Sequence, residues 1–177
     1  MLTVKIVIIG DSNVGKTSLS MRYSDQAFQY EYIKTIGTNF FMKKLSLNGE
    51  ETTFMLWDLA GDESFGLLRP VFYQGTFGAF LVFDISQRTS FVNLENWLKE
   101  LQENLPQKIP TVLACNKVDL EKEAWKVSKH EIQEFANAQG LPYFMTSAKS
   151  NENVELAFLK LIKEIDSSLK DISPANR

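Results

Sequence analysis

Gly10-Asp11-Ser12-Asn13-Val14-Gly15-Lys16-Thr17 lies between the β-branched run Val4-Lys5-Ile6-Val7-Ile8-Ile9 and a segment, Ser18-Leu19-Ser20-Met21-Arg22-Tyr23, that suits a helix. The spacing G-x-x-x-x-G-K-[ST], with a strand before it and a helix after it, is that of a phosphate-binding loop. Each fixed position has a physical reason. Glycines let the backbone curl so that successive N–H groups point inward at phosphate oxygens. Lys16 supplies a mobile positive charge for the terminal phosphates, and the Thr17 hydroxyl suits Mg²⁺. The following helix aims its positive end at the same anion. The plainer alternative, an ordinary glycine-containing turn, does not require Lys16 and Thr17 together at the helix start. Ser12, Asn13, Val14, Gly15, Lys16, Thr17 and Ser18 are therefore candidate nucleotide contacts.

Two further motifs follow in order. Asp58-Leu59-Ala60-Gly61 comes after the strand-like run Thr52–Trp57. A carboxylate there can hold Mg²⁺ through a water, and the Gly61 N–H can bond a terminal phosphate. Asn116-Lys117-Val118-Asp119 follows the run Thr111–Asn116. Guanine presents an N1–H and an exocyclic amine on one edge, and the Asp119 carboxylate can accept from both. Adenine offers neither donor, and leaving a buried charge unmatched costs on the order of 2–5 kcal/mol, enough to exclude ATP. The Lys117 stem can cover the base. Ser147-Ala148-Lys149 follows a sixth strand and could present a backbone N–H to guanine O6. Taken singly, D-x-x-G and N-K-x-D match many polar turns. Three motifs in order at consecutive strand ends do not fit that bland reading.

The rest of the chain supplies a matching frame. Strands are expected at Val4–Ile9, Asn39–Leu47, Thr52–Trp57, Ala79–Asp84, Thr111–Asn116 and Tyr143–Thr146. Asn48-Gly49 is the favoured two-residue hairpin turn, which makes the second and third strands antiparallel. The others are separated by helical stretches and are expected to run parallel. Phe91, Leu94, Trp97, Leu98 and Leu101 recur at helical spacing, Ser128-Lys129-His130-Glu131 has the form of a capping box, and Val154, Ala157, Phe158, Leu161, Ile162 and Ile165 form the stripe of a last helix. His130 reads as a surface residue and Glu121-Lys122-Glu123 as a solvated loop.

Composition narrows the alternatives. A chain of 177 residues fits one domain, expected over 1–170, with a short polar tail over 171–177. The net charge of −3 gives no broad footprint for nucleic acid. Cys115 is the single cysteine, so an internal disulfide is excluded, and its apolar neighbours make it a buried structural thiol in a cytoplasmic setting. The start lacks a glycine for myristoylation, and the end, Ser173-Pro174-Ala175-Asn176-Arg177, lacks a cysteine for prenylation, so either the native C-terminus is longer, with a setting peripheral to membranes, or the protein acts without a lipid.

The order of phosphate loop, D-x-x-G, N-K-x-D and S-A-K resembles the Ras superfamily of small GTPases over residues 3 to about 168. Thr35-Ile36-Gly37-Thr38-Asn39-Phe40, Met55 to Gly61, Phe72-Tyr73-Gln74-Gly75 and Leu81 to Ser86 resemble the Rab branch. The resemblance implies a P-loop NTPase G domain: an α/β fold with a six-stranded, mostly parallel sheet, one antiparallel edge strand and helices on both faces. It implies GTP/GDP and Mg²⁺ as ligands, and Thr17, Thr35 and Asp58 around the metal. Phe28 would pack against guanine, while Phe40, Trp57 and Phe72 would form an effector surface. Lys16, Thr35 and the residue after Gly61 would serve hydrolysis. Two loops, near Gln29–Asn39 and Gly61–Tyr73, would respond to the terminal phosphate. Effectors, exchange factors and activating proteins are the implied partners, and vesicle traffic the implied setting.

The chain departs from that pattern at Asp62, where the family usually carries glutamine to orient the attacking water. An ionised carboxylate accepts but cannot donate, so slow intrinsic hydrolysis is expected, by roughly 10- to 1000-fold. A rival role for Asp62 as general base is opposed by repulsion from the triphosphate. Asn13 stands where glycine is frequent but tolerates the left-handed conformation. Ser64 replaces a common basic residue without an expected consequence. Two other classes remain: a guanine-nucleotide-dependent binding module with negligible turnover, and a P-loop kinase or ATPase, which Asp119 and the lack of an arginine-rich lid insert disfavour.

Overall fold

A computed structural model describes residues 2–24, 37–47 and 50–172 of the chain. Its centre is a six-stranded sheet made of β1 (Leu2–Ile9), β2 (Thr38–Leu47), β3 (Glu50–Leu59), β4 (Gly78–Asp84), β5 (Thr111–Asn116) and β6 (Tyr143–Met145). The spatial order is β2-β3-β1-β4-β5-β6. Only the β2–β3 pair is antiparallel, with Phe40 opposite Trp57 and Leu47 opposite Glu50. The Asn48-Gly49 turn expected between them lies outside the described residues. The helices are α1 (Lys16–Tyr23), α2 (Arg69–Tyr73), α3 (Arg88–Val92), α4 (Leu94–Glu103), α5 (Lys129–Gln139) and α6 (Val154–Ile172).

The continuous apolar runs of β1 and β4 follow from burial on both sheet faces, as a parallel sheet covered twice requires. Alternation divides the core. Val4, Ile6 and Ile8 face one layer, with Leu19 of α1 and Phe158, Leu161, Ile162 and Ile165 of α6. Val7 and Ile9 face the other, with Leu94, Trp97, Leu98 and Leu101 of α4 and Ile132 and Ala136 of α5. In the first layer the Phe158 ring stacks between Tyr23 (4.1 Å) and Phe80 (4.2 Å). Cys115 is buried, as its neighbours imply, and burial raises its thiol pKa well above the ordinary value.

Several boundaries differ from the sequence expectation: β1, β2, β3 and β4 start one or two residues earlier, at Leu2, Thr38, Glu50 and Gly78. β3 runs two residues past Trp57, because Asp58 and Leu59 are held in register by Asn39 and Thr38 of β2. The motif Asp58–Gly61 thus begins inside the strand. Phe91 does not share a helix with Leu94 to Leu101: α3 ends at Val92 and α4 starts at Leu94, with Asn93 as the joint. β6 stops at Met145, one residue short of Thr146. The capping box is present, with Ser128 accepting from the Glu131 N–H and the Glu131 carboxylate accepting from the Ser128 N–H. His130 is exposed beside Glu134.

This frame brings the C-terminal ends of β1, β3, β4, β5 and β6 to one rim of the sheet. The loops leaving β1, β3, β5 and β6 carry the four sequence motifs.

Candidate functional site

The loop between β1 and α1 is shaped by its glycines. Gly15 has φ 98°, and a Cβ there would meet Asn116 Nδ2 at 2.2 Å. Asn13 adopts φ 64°, the left-handed conformation its side chain tolerates. Lys16 opens α1, and its ammonium donates to Gly10 O (2.8 Å) and Asp11 O (2.7 Å), curled back over the loop. Burial holds the Lys16 pKa down at about 8, against the opposing charges of Asp58 and Asp11. Anionic phosphate oxygens beside this ammonium would favour its charged form.

Thr17 and Asp58 converge from α1 and β3. The Thr17 hydroxyl donates to Asp58 Oδ2 at 2.5 Å, and Asp58 is fully buried. A hydroxyl and a carboxylate in contact are hard oxygen donors of the kind Mg²⁺ prefers when it keeps waters and phosphate oxygens in its shell. No cluster of three or more acidic, histidine or cysteine side chains suited to a metal exists among the described residues. The donor set fits a magnesium nucleotide. Thr35 and Phe28, the other two residues implied for metal and base, lie outside the described residues.

Gly61 presses against the phosphate loop. A Cβ at this position would lie 2.4 Å from Gly10 O and 2.5 Å from Ser12 N, both backbone atoms. The D-x-x-G segment and the phosphate loop therefore pack main chain against main chain. Asp62, the residue that follows this glycine, is engaged within its own turn. Its Oδ1 accepts from the Ser64 N–H (3.0 Å) and the Ser64 hydroxyl (2.5 Å), capping the 3₁₀ turn Glu63–Phe65. Ser64, which replaces a common basic residue, therefore has a consequence: it is the partner of Asp62.

At the base end, Asn116 joins three loops. Its Nδ2 donates to Val14 O (2.9 Å), and its Oδ1 accepts from the Ala148 N–H (3.3 Å) and the Thr146 hydroxyl (3.4 Å). Lys117, at φ 67°, lays its side chain across to Asn13 O (2.7 Å). The Asp119 carboxylate is exposed and oriented by the Ser147 hydroxyl at 2.5 Å. Ser147 in turn is buried, and its Oγ accepts from the Ser150 N–H (3.0 Å). Arg22 of α1 donates to Ala148 O and Lys149 O, tying the last motif to the helix of the first. All the candidate residues within the described segments from the phosphate loop, N-K-x-D and S-A-K motifs thus share one rim.

The aromatic surface is also assembled. Phe40 meets Trp57 edge-on at 4.7 Å, and Trp57 lies 6.1 Å from Phe72. Lys5 sits over the Trp57 ring at 3.6 Å. Phe40, Met42, Leu67, Leu68 and Val71 are exposed.

Sequence reasoning missed a polar network beneath this rim. Asp11 accepts from Asn93 Nδ2 (2.8 Å) and Trp97 Nε1 (2.7 Å). Arg69 forms a bidentate pair with Glu100 (2.7 and 2.9 Å), donates to Asp62 O (2.9 Å), and lies over the Trp97 ring at 4.5 Å. Burial alone would lower the Arg69 pKa, but its bonds to Glu100 more than offset that and raise it. Tyr73 donates to Glu100 as well (2.8 Å), and burial followed by the Glu100 charge raises its phenol pKa. The signal available was the i, i+4, i+7 spacing of Asn93, Trp97 and Glu100, one helical face carrying polar groups.

Comparison with known proteins agrees with this geometry. The Ras family model matches residues 5–167. Rab-21 from Bos taurus is 41% identical over 161 residues, 91% of this chain and 72% of that protein. RABE1e from Arabidopsis thaliana is 36% identical over 168 residues, 95% of this chain and 77% of that protein. Rab-13 from Canis lupus familiaris is 38% identical over 161 residues, 91% of this chain and 79% of that protein. Members of this family bind GTP, GDP and Mg²⁺, hydrolyse GTP, and engage effectors, exchange factors and activating proteins. With the match running from β1 into α6, the chain belongs to the Ras family as a Rab-like small GTPase, a GTP hydrolase of the molecular-switch type.

Proposed function

We propose that this rim binds GTP and GDP with Mg²⁺, turns GTP over slowly when alone, and serves as a switch in vesicle traffic. The observation that carries the nucleotide assignment is the convergence of the four motifs, with the Asp119 carboxylate aimed by Ser147 and Asn116 linking the loops. Backbone N–H groups of residues 13–18 and the Lys16 ammonium receive the phosphates. Thr17 and Asp58, with Thr35 as the resemblance implies, would hold the metal, which would supply charge neutralisation for the phosphates. Asp119 accepts from guanine, the Lys117 stem covers the base, and a backbone N–H of the Ser147-Ala148-Lys149 segment serves O6, with Phe28 as the further base contact that the family resemblance implies. The chain's partners read Phe40, Trp57, Phe72 and the exposed apolar side chains around them.

Slow turnover has two supports. Asp62 cannot donate a hydrogen bond to the phosphoryl oxygens, and its Oδ1 is engaged as the cap of the turn Glu63–Phe65. An activating partner that supplies its own water-orienting amide and an arginine would bypass the substitution. The capped Asp62 also favours a second reading, a guanine-nucleotide-dependent binding module with negligible turnover. Single-turnover hydrolysis of bound GTP separates the two. Asp62→Gln is expected to hydrolyse roughly 10- to 1000-fold faster than the native chain. A slower glutamine variant defeats this account of Asp62, and GTP that persists intact for many hours in the native chain favours the binding module.

A further inference from the structure

Asp84 ends β4 in register with Asn116, the last residue of β5. Its side chain is 1% exposed, yet it belongs to none of the four motifs. One carboxylate oxygen is engaged locally, accepting from the Ser86 N–H (2.8 Å) and the Ser86 hydroxyl (2.6 Å). The other, Oδ2, lies 2.6 Å from the Lys117 ammonium and receives no hydrogen bond of ordinary geometry among the described residues. A buried carboxylate oxygen in that situation is balanced by the neighbouring charge. The same ammonium donates to Asn13 O of the phosphate loop. Lys117 is thus fastened at its far end by two oxygens from two different loops, while its φ of 67° turns the residue back across the rim.

From this geometry we infer that Asp84 is a positioning residue for nucleotide retention: it holds Lys117 extended across the base pocket before the purine arrives. A lysine stem has many rotamers, and ordering them on binding weakens affinity. With Nζ pinned by Asp84 and Asn13 O, the four methylenes are already laid out as an apolar cover. The inference rests on the guanine-nucleotide reading of the site, in which Lys117 covers the base.

The test is the rate at which labelled GDP leaves the Mg²⁺-containing full chain, measured for the native protein, Asp84→Asn, Lys117→Met and the double variant. Asp84→Asn keeps an oxygen for Ser86 and removes the charge that faces Lys117. It is expected to raise the release rate on the order of tenfold, about 1.4 kcal/mol. In the Lys117→Met background, the same change is expected to alter release by less than about twofold, because the ammonium it acts through is gone. Ser86→Ala, which touches only Oδ1, is expected to stay close to native. Melting temperature gives a second readout, since Lys117→Met leaves Asp84 buried without its counter-charge. Adding Asp84→Asn to that variant is expected to raise the midpoint again.

Release from Asp84→Asn at the native rate overturns the inference. So does the same acceleration in both lysine backgrounds, which marks a structural role alone. If Asp84→Asn cannot be purified folded, a double variant that melts no higher than Lys117→Met also overturns it. Failure of the native chain to bind guanine nucleotide overturns the parent reading. Native binding with an unaffected Asp84→Asn overturns this inference only.

Discussion

Glu100→Ala probes the network under the segment Gly61–Tyr73 most sharply. Arg69 has a side chain only 9% exposed, and its guanidinium is paired bidentately with Glu100, which is 25% exposed. Truncating one member of a buried pair typically costs about 3–5 kcal/mol, because the other charge stays behind unpaired. The partial exposure of Glu100 lets water reach the site, so about 2–3 kcal/mol is the reasonable figure for the charge. The Tyr73 hydroxyl loses its acceptor too, adding roughly 1 kcal/mol. The sum, about 3–4 kcal/mol, corresponds to a fall in melting temperature of roughly 6–16 °C for a domain of this size. The assay is circular-dichroism melting at fixed nucleotide and Mg²⁺ concentration, since bound ligand itself raises the midpoint. A companion variant, Arg69→Met with Glu100→Leu, removes both charges and is expected to melt well above Glu100→Ala, though Arg69's bond to Asp62 O is lost. If Glu100→Ala melts within about 2 °C of the native chain, or the double variant costs the full sum of its two singles, the pair is not the buried unit described here.

Three more outcomes follow from the same geometry. Gly61→Ala forces a methyl to within 2.4 Å of Gly10 O, so either the phosphate loop or the D-x-x-G segment must shift; GTP affinity by equilibrium titration is expected to drop more than about tenfold. Asn116→Ala leaves Val14 O and Ala148 N–H without their partner inside a buried junction, at roughly 1–3 kcal/mol for each unsatisfied group, which denaturant unfolding at fixed nucleotide reads as a lowered midpoint. The Glu131 carboxylate is held down at about 2 by the Ser128 N–H, the Ser128 hydroxyl and Arg88. A depressed carboxylate stabilises the fold above its unfolded value and loses that contribution as pH falls through its folded value. The melting difference between the native chain and Glu131→Gln is therefore expected to be full above about pH 4.5 and to vanish toward pH 2.

Much of this was legible from residue order, and what was not has particular causes. Strand β5 is found where the run Thr111–Asn116 placed it, because every residue in it is buried and apolar or small until the chain leaves the sheet. β3 continues past Trp57 because pairing with Asn39 and Thr38 of β2 holds Asp58 and Leu59, a constraint from a different strand that local pattern does not carry. The break at Asn93 had no glycine or proline to mark it; the residue is turned toward Asp11 by a bond across 82 residues. Nothing in the local pattern marks Arg69 as buried; its position over Trp97 and beside Glu100 explains its burial. The motifs were readable because phosphate binding fixes residue types at fixed spacing. The Asp62 cap was not, because it depends on Ser64 and on the turn those two residues form together.

The central claim is that one carboxylate, Asp119, selects the purine in this pocket. Its most direct measurement is chromatographic identification of the nucleotide released from purified protein, followed by competition of GTP and ATP for the reloaded site with Mg²⁺ present. The account predicts a guanine nucleotide, displaced by GTP at clearly lower concentrations than ATP, because only guanine offers donors to the Asp119 carboxylate. An adenine nucleotide in the purified protein, or ATP competing on equal terms, would contradict it.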